Sequence, residues 1–255
     1  KYGMMSGRDS KGNFPDDFKS DAWWGPFTEG NSWHWTWCVF HDIRGLINLM
    51  GGNQAFIDKL DAVFTTPPTF GGNVDTRKQL IHEMREMQVV NMGQYAHGNQ
   101  PIQHMIYLYN YAGQPWKTQY WVREVLRRLY FATPDGYCGD EDNGQTSAWY
   151  VMSALGFYSV CPASDQYVLG APLFKKAKVN LENGKTIELS APANSDENRY
   201  VQSLKVNGKA YDKNYFTHEQ LLRGVRLQYQ MSNKPNKNRG IQASAYPYSF
   251  SDSNE

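Results

Sequence analysis

Up to about residue 160 apolar positions recur three and four apart, and Gly- and Pro-marked turns interrupt them. The spacing predicts helices over 33–50, 53–65, 75–90, 101–112, 115–132 and 145–156. Within the second, Phe56, Leu60, Val63 and Phe64 form one apolar stripe, and Gly51-Gly52 closes the first. From about residue 165 the pattern changes to alternation. Ala177, Val179 and Leu181 lead into Asn183-Gly184, and Ile187 and Leu189 follow, a hairpin pattern with its favoured turn. Val206-Asn207-Gly208-Lys209 repeats the device, and Val225, Leu227, Tyr229 and Met231 predict a closing strand. The expected order is a mainly α block over 1–162, a small antiparallel β module over 163–235, and an Asn- and Ser-rich tail over 236–255 that packs loosely for want of apolar residues.

Composition narrows the function classes. The formal charge of +1 is spread over the chain, so no patch seeks a polyanion and a nucleic-acid partner is not expected. No run of 18 apolar residues occurs, so no membrane span is expected. The start, Lys-Tyr-Gly-Met-Met, has neither an initiator Met nor a signal-peptide profile, as in a processed or partial chain. Cys38, Cys138 and Cys161 lack metal-site spacing and allow at most one bridge. The aromatic share of 15% includes Trp23-Trp24 and Trp33-His34-Trp35-Thr36-Trp37 in polar surroundings. Such rings pack in cores and also stack on the C–H faces of sugars.

Candidate chemistry concentrates in a few segments. Asp140, Glu141 and Asp142 stand consecutively ahead of the helix expected from Gln145, where free amides and the helix dipole favour anions. They read either as a capping turn or as a site for a cation, a substrate or a catalytic water. Glu29, between Thr28 and Gly30 and shortly before Trp33, reads as an exposed loop residue or as a general acid in a partly apolar cleft. His82-Glu83 and the stretch from Gly93 to Pro101, with His97, Asn99 and Gln100, offer many donors and acceptors, as sugar hydroxyls require. His104 and His218 read as structural, and His41-Asp42 as either. Asp140, Asp142 and Gly144 match the start of an EF-hand loop, but its twelfth position would be Val151, which excludes that calcium site and leaves a looser one open.

Thr28-Glu29-Gly30-Asn31-Ser32-Trp33, His41-Asp42 with Gly45-Leu46, Gly98-Asn99-Gln100-Pro101, Tyr111 to Gln119, and Gly139 to Gln145 together resemble the glycoside hydrolase family 92 α-mannosidases. The resemblance implies a calcium-dependent, exo-acting glycosidase that inverts the anomeric centre. It also implies an N-terminal β-sandwich and a C-terminal (α/α)6 barrel with a small appended β element. About six helices are expected here, so the chain would be the second half of the barrel, and the sandwich and first half would be missing partners. By the same resemblance Glu29 is the general acid and Asp140 and Asp142 are the base carboxylates, a pair that inversion typically sets roughly 6.5–9.5 Å apart. Asp142, Asn99 and Gln100 would hold Ca2+, although many relatives carry Glu at the position of Gln100. His82-Glu83 resembles the pair that recognises the sugar beyond the scissile bond in members that prefer α-1,2 linkages. Trp33, His97, Asn99, Gln100 and Lys117 are the remaining expected sugar contacts. Non-reducing α-1,2-mannose of mannan or N-glycan chains is the expected substrate, and the bacterial periplasm or cell surface the expected location. A sugar-binding or structural fragment without activity, or another (α/α)6 glycosidase or lyase, stands as the alternative.

Overall fold

The computed structural model describes residues 3–72 and 80–254. Helices occupy Ser32–Trp35, Ile43–Leu49, Asn53–Thr65, His82–Val90, Gln100–Gln103, Pro115–Leu129 and Gln145–Leu155, and a 3₁₀ segment runs over Met105–Tyr111. The part of the predicted 75–90 helix before residue 80 lies outside the described residues. The longest helix opens on Pro115, whose missing N–H costs nothing at the first position, and buries Val122, Val125, Leu126 and Leu129 on one face. These side chains join Trp37, Ile47, Phe56, Leu60, Tyr95, Ile106, Tyr107 and Trp149 in the main core.

The single helix expected over 33–50 is two short ones. The first ends at Trp35, and Asp42 starts the second: its side chain accepts the Gly45 N–H at 3.0 Å and caps a new helix at Ile43. A carboxylate that satisfies a helix end from outside cannot also sit in mid-helix.

The β module follows its alternation. Lys176–Asn180 pairs antiparallel with Thr186–Ser190, and Tyr200–Val206 with Lys209–Ala210 across Asn207 (φ +51) and Gly208 (φ +82). Those two left-handed positions make the tight turn that suits Asn-Gly. Val225–Ser232 lies centrally, antiparallel to Tyr200–Val206 but parallel to Thr186–Ser190. The five-stranded sheet is therefore mixed, not wholly antiparallel, because the chain leaves its edge at Lys209–Ala210, passes through Tyr215–Thr217 and a short helix, His218–Leu222, and re-enters between the two earlier strands. A separate three-stranded antiparallel sheet joins Phe157–Tyr158, Gln166–Leu169 and Tyr215–Thr217.

Polar side chains of the Pro115–Leu129 helix hold the two blocks together. The buried Arg123 guanidinium donates to Pro172 O at 2.8 Å, to Asn194 Oδ1 at 2.6 Å and to Ser195 O at 3.1 Å. Gln119 Oε1 accepts the Val201 N–H at 2.9 Å. The tail beyond 236 does not pack loosely. Arg239 is buried and donates to Tyr211 O and Lys213 O. Ser249 and Ser251 both bond to Asp42. Hydrogen bonds supply the hold that its sparse apolar residues do not.

Candidate active site

A cleft of about 830 Å³ opens where four loop segments meet, with Glu29, Trp35, Asn99, Gln100, Asp142, Gln145 and Tyr158 among its lining. A second hollow, of about 750 Å³ on the outer face of the five-stranded sheet, is lined by Lys176, Lys178, Glu188 and Arg226 with no aromatic ring. The first has the polar groups and rings that a sugar needs; the second is a solvated sheet face.

Glu29 is positioned by the short helix that follows it. Asn31 caps that helix, accepting the Trp33 N–H at 2.9 Å, and is itself fixed by its amide donating to Gln94 Oε1 at 3.0 Å. Trp35 stacks on Phe27 with ring centroids 5.7 Å apart, and its indole N–H donates to the Glu29 carbonyl at 2.6 Å. Trp33, one of the expected sugar contacts, does not line the cleft. Trp33 is buried in the main core, because in this helix residues 33 and 35 point to different sides and only Trp35 reaches the cleft.

The three consecutive carboxylates separate. Glu141 turns back on the helix, accepting from Gly144 N–H at 2.5 Å and Ser147 Oγ–H at 2.5 Å. The Ser147 hydroxyl first, and then the Gly144 amide, hold its carboxyl below the usual value, and Glu141 is occupied in bracing the turn ahead of the helix that Gly144 opens. Asp142, at φ +52, faces the cleft and accepts from the Gln100 amide. Asp140 leaves on the other side, 3.7 Å from His82 Nε2.

His82 and Glu83 open a helix beside the cleft. His82 Nε2 stands 3.2 Å from Glu83 Oε1, and Nδ1 3.5 Å from Glu86 Oε1. Burial pushes the Glu83 carboxyl up; its own amide and His82 oppose this, and the charges of Glu29 and Glu86 add to it.

Two further expected contacts lie elsewhere. His97 is buried, and burial pushes its imidazole down to about 3. Nδ1 is hydrogen-bonded to Tyr95 Oη at 2.8 Å and Nε2 to Tyr130 Oη at 2.7 Å, so both ring nitrogens are satisfied in the core. Lys117 is paired with Asp61 and lies near the rings of Tyr109 and Trp116. Neither residue lines the cleft. His104 is structural, its Nε2–H donating to Trp37 O at 2.8 Å, and His218 is bonded to Tyr167. His41 is exposed, and its carbonyl accepts the Phe250 N–H.

Gln145 was expected only as a helix start. Its amide donates to Gln103 Oε1 at 3.1 Å and to Tyr158 Oη at 2.9 Å, closing the floor. No spacing rule reveals this, since Tyr158 comes from the strand after the helix.

The donors fit a hard cation only loosely. Among the described residues no three His, Cys, Asp or Glu converge on a metal position. The oxygens at hand are the Asp142 carboxylate and the amides of Asn99 and Gln100. Asn99 lines the cleft, and its Nδ2 is buried with no partner among the described residues.

The model of the glycosyl hydrolase family 92 catalytic domain matches residues 1–233. The chain belongs to this family. It is similar to a family 92 inverting mannosidase from Bacteroides thetaiotaomicron, BT2199, at 51% identity and a TM-score of 0.84 over 97% of this chain and 33% of that one. It is also similar to the family 92 α-mannosidase BT3965 of the same organism, at 41% identity and a TM-score of 0.85 over 97% of this chain and 31% of that one. An uncharacterized secreted glycosidase of Arthroderma benhamiae is 26% identical over 204 residues, 78% of this chain and 23% of the relative. The chain thus spans about a third or less of the length of these relatives. Its described residues include no helix long and apolar enough to cross a membrane.

Proposed function

We propose that this chain carries the catalytic carboxylates of an exo-acting, inverting α-mannosidase. The reading rests on one observation: Glu29 and Asp142, from segments more than a hundred residues apart, line the same cleft beside an aromatic ring and several amides. Glu29 protonates the glycosidic oxygen as the C1–O bond breaks. A carboxylate of the Asp140–Asp142 turn takes a proton from the water that attacks C1 from the opposite face, and the new hydroxyl has inverted configuration. Trp35 supplies the apolar face for the sugar, and Gln100 holds the Asp142 carboxylate in place.

His82 and Glu83, beside the cleft rather than in it, suit the sugar on the leaving side, which favours α-1,2-linked mannose of mannan or N-glycan chains. Asp142, Asn99 and Gln100 would hold Ca2+, with substrate hydroxyls and water completing its coordination; bound there, the cation draws sugar oxygens and steadies developing charge. The helices between Ser32 and Leu155 would then form the second half of an (α/α)6 barrel. A β-sandwich and the remaining helices are its partners, and export to the periplasm or cell surface suits its substrate.

The chain's share of its relatives' length favours a second reading, in which it binds sugar but completes catalysis only with the rest of the enzyme. Mannose release from α-1,2-mannobiose, with calcium and with a chelator, separates the two. Calcium-dependent release supports the enzyme reading. Calcium-dependent binding without release supports the second, and release that ignores the chelator removes calcium from the mechanism.

A further inference from the structure

Glu86 follows His82 by one helical turn and is absent from the cleft lining. Its Oε1 accepts the Gly139 N–H at 2.9 Å and stands 3.5 Å from His82 Nδ1. Its Oε2 is buried without a hydrogen-bond partner among the described residues and packs against Gly98. A Cβ on Gly98 would lie 2.3 Å from that oxygen and 3.1 Å from the Gly139 Cα. A Cβ on Gly139, at φ +68, would lie 2.6 Å from both the Cα and the carbonyl oxygen of Gly98. Two loops therefore meet backbone to backbone at a pair of glycines, the only residue type with room for this approach, and one carboxylate is bonded across the seam.

The seam has consequences on both sides. Asn99 and Gln100 follow directly on Gly98, and Asp140 and Asp142 follow on Gly139. The offset between the two loops sets how the amides of one meet the carboxylates of the other. A charge-assisted hydrogen bond to a main-chain amide is strong enough to set it, whereas the second carboxylate oxygen, left unpaired, has no use in stability.

We propose that Glu86 is a positioning residue of this site: it fixes the 138–144 loop through Gly139, orients the His82 ring, and so registers the base carboxylate against Gln100. The proposal deepens the mannosidase reading and rests on it for its kinetic consequence. A misplacement of reacting groups by about 1 Å costs up to ~10²-fold in rate, more than the loss of one peripheral contact explains.

The test compares Glu86→Ala with Glu86→Gln, which keeps an oxygen acceptor for Gly139. On α-1,2-mannobiose, Glu86→Ala is expected to lower kcat by about 10- to 100-fold with a smaller change in KM, and Glu86→Gln to recover most of that loss. Amide hydrogen exchange over 138–144 is expected to quicken in Glu86→Ala and to stay near wild type in Glu86→Gln. An unchanged kcat in Glu86→Ala, or unchanged exchange, overturns the proposal. If the unaltered protein releases no mannose, the functional reading fails on its own, and the exchange comparison alone decides the role of Glu86. Should Glu86→Ala not fold, Glu86→Asp, one methylene too short to span the seam, gives the same readings.

Discussion

The indole N–H of Trp35 donates to the main-chain carbonyl of Glu29 at 2.6 Å. One aromatic side chain thus both lines the cleft and holds the backbone of the proposed general acid, and its ring is buttressed in turn by Phe27. Trp35→Phe keeps a ring and removes the donor. It is expected to lower kcat on mannobiose by about tenfold, the value of one hydrogen bond of roughly 1.4 kcal/mol, and Trp35→Ala to raise KM as well. Equal kinetics for Trp35→Phe and wild type would sever the link between this bond and catalysis.

Glu29→Gln and Asp142→Asn test the chemistry itself. Each is expected to slow mannobiose hydrolysis by about 10²- to 10⁴-fold, the usual worth of a positioned acid or base. An aryl mannoside with a good leaving group needs no protonation, so it should rescue Glu29→Gln and leave Asp142→Asn impaired. Loss of both substrates alike in Glu29→Gln counts against its role as the acid.

His82→Ala removes a side chain that contacts Glu83, Glu86 and Asp140 outside the cleft. Hydrolysis of α-1,2-mannobiose is expected to fall more than that of an aryl mannoside, because only the disaccharide has a second mannose to lose contact with. Parallel losses on both substrates would remove His82 from leaving-side recognition.

Three buried histidines make the fold sensitive to mild acid. Burial pushes His34, His97 and His104 down to about 4, about 3 and about 4, with the carbonyls of Gln94 and Trp37 opposing this at His34 and His104. Unfolded, each binds a proton near 6.5. The unfolded chain therefore takes up more protons between these values, and stability that is full above pH 6.5 is lost as pH falls toward 4 and then 3. Each histidine adds a slope of about 1.4 kcal/mol per pH unit at most. Urea midpoints measured from pH 7.5 to 5 are expected to fall, and to fall less steeply in His104→Asn; a flat profile contradicts the buried neutral state.

Asp42 joins the tail to the helical block through Ser249 and Ser251 while capping its own helix. Burial raises its carboxyl, but bonds from Ser251, Gly45 and Ser249 prevail and hold it at about 2. Its contribution is present above about pH 4 and lost as pH falls through 2. Asp42→Ala is expected to cost about 1–2 kcal/mol in denaturant unfolding and to expose the tail beyond 236 to proteases. Unaltered proteolysis would show that Arg239 and its neighbours hold the tail without it.

The sequence made the local structure legible. Alternation from Ala177 to Leu189 and from Val225 to Met231 predicted strands that form, and the two Asn-Gly pairs predicted turns that close. These depend on neighbours a few residues apart, where backbone geometry and side-chain period act directly. The direction of Val225–Ser232 against Thr186–Ser190 was not legible, since parallel pairing depends on where a crossover lands. Nor was the hold on the tail, which lies in single hydrogen bonds to Asp42, Tyr211 and Lys213, over 200 residues away in the first case.

The same division runs through the site. Residue type and order singled out Glu29, His82 and the 140–142 turn, because carboxylates and imidazoles beside glycines and helix starts are costly in a core and useful in a cleft. Which carboxylate faces where was settled by tertiary contacts: Ser147 and Gly144 claim Glu141, Gln100 meets Asp142, and His82 lies beside Asp140. Packing likewise sent Trp33 and His97 into the core, tied Lys117 to Asp61, and brought Trp35 and Gln145 to the cleft. A sequence carries the period of each element, but the direction of a side chain in a short helix or an irregular turn depends on what packs against it from distant parts of the chain.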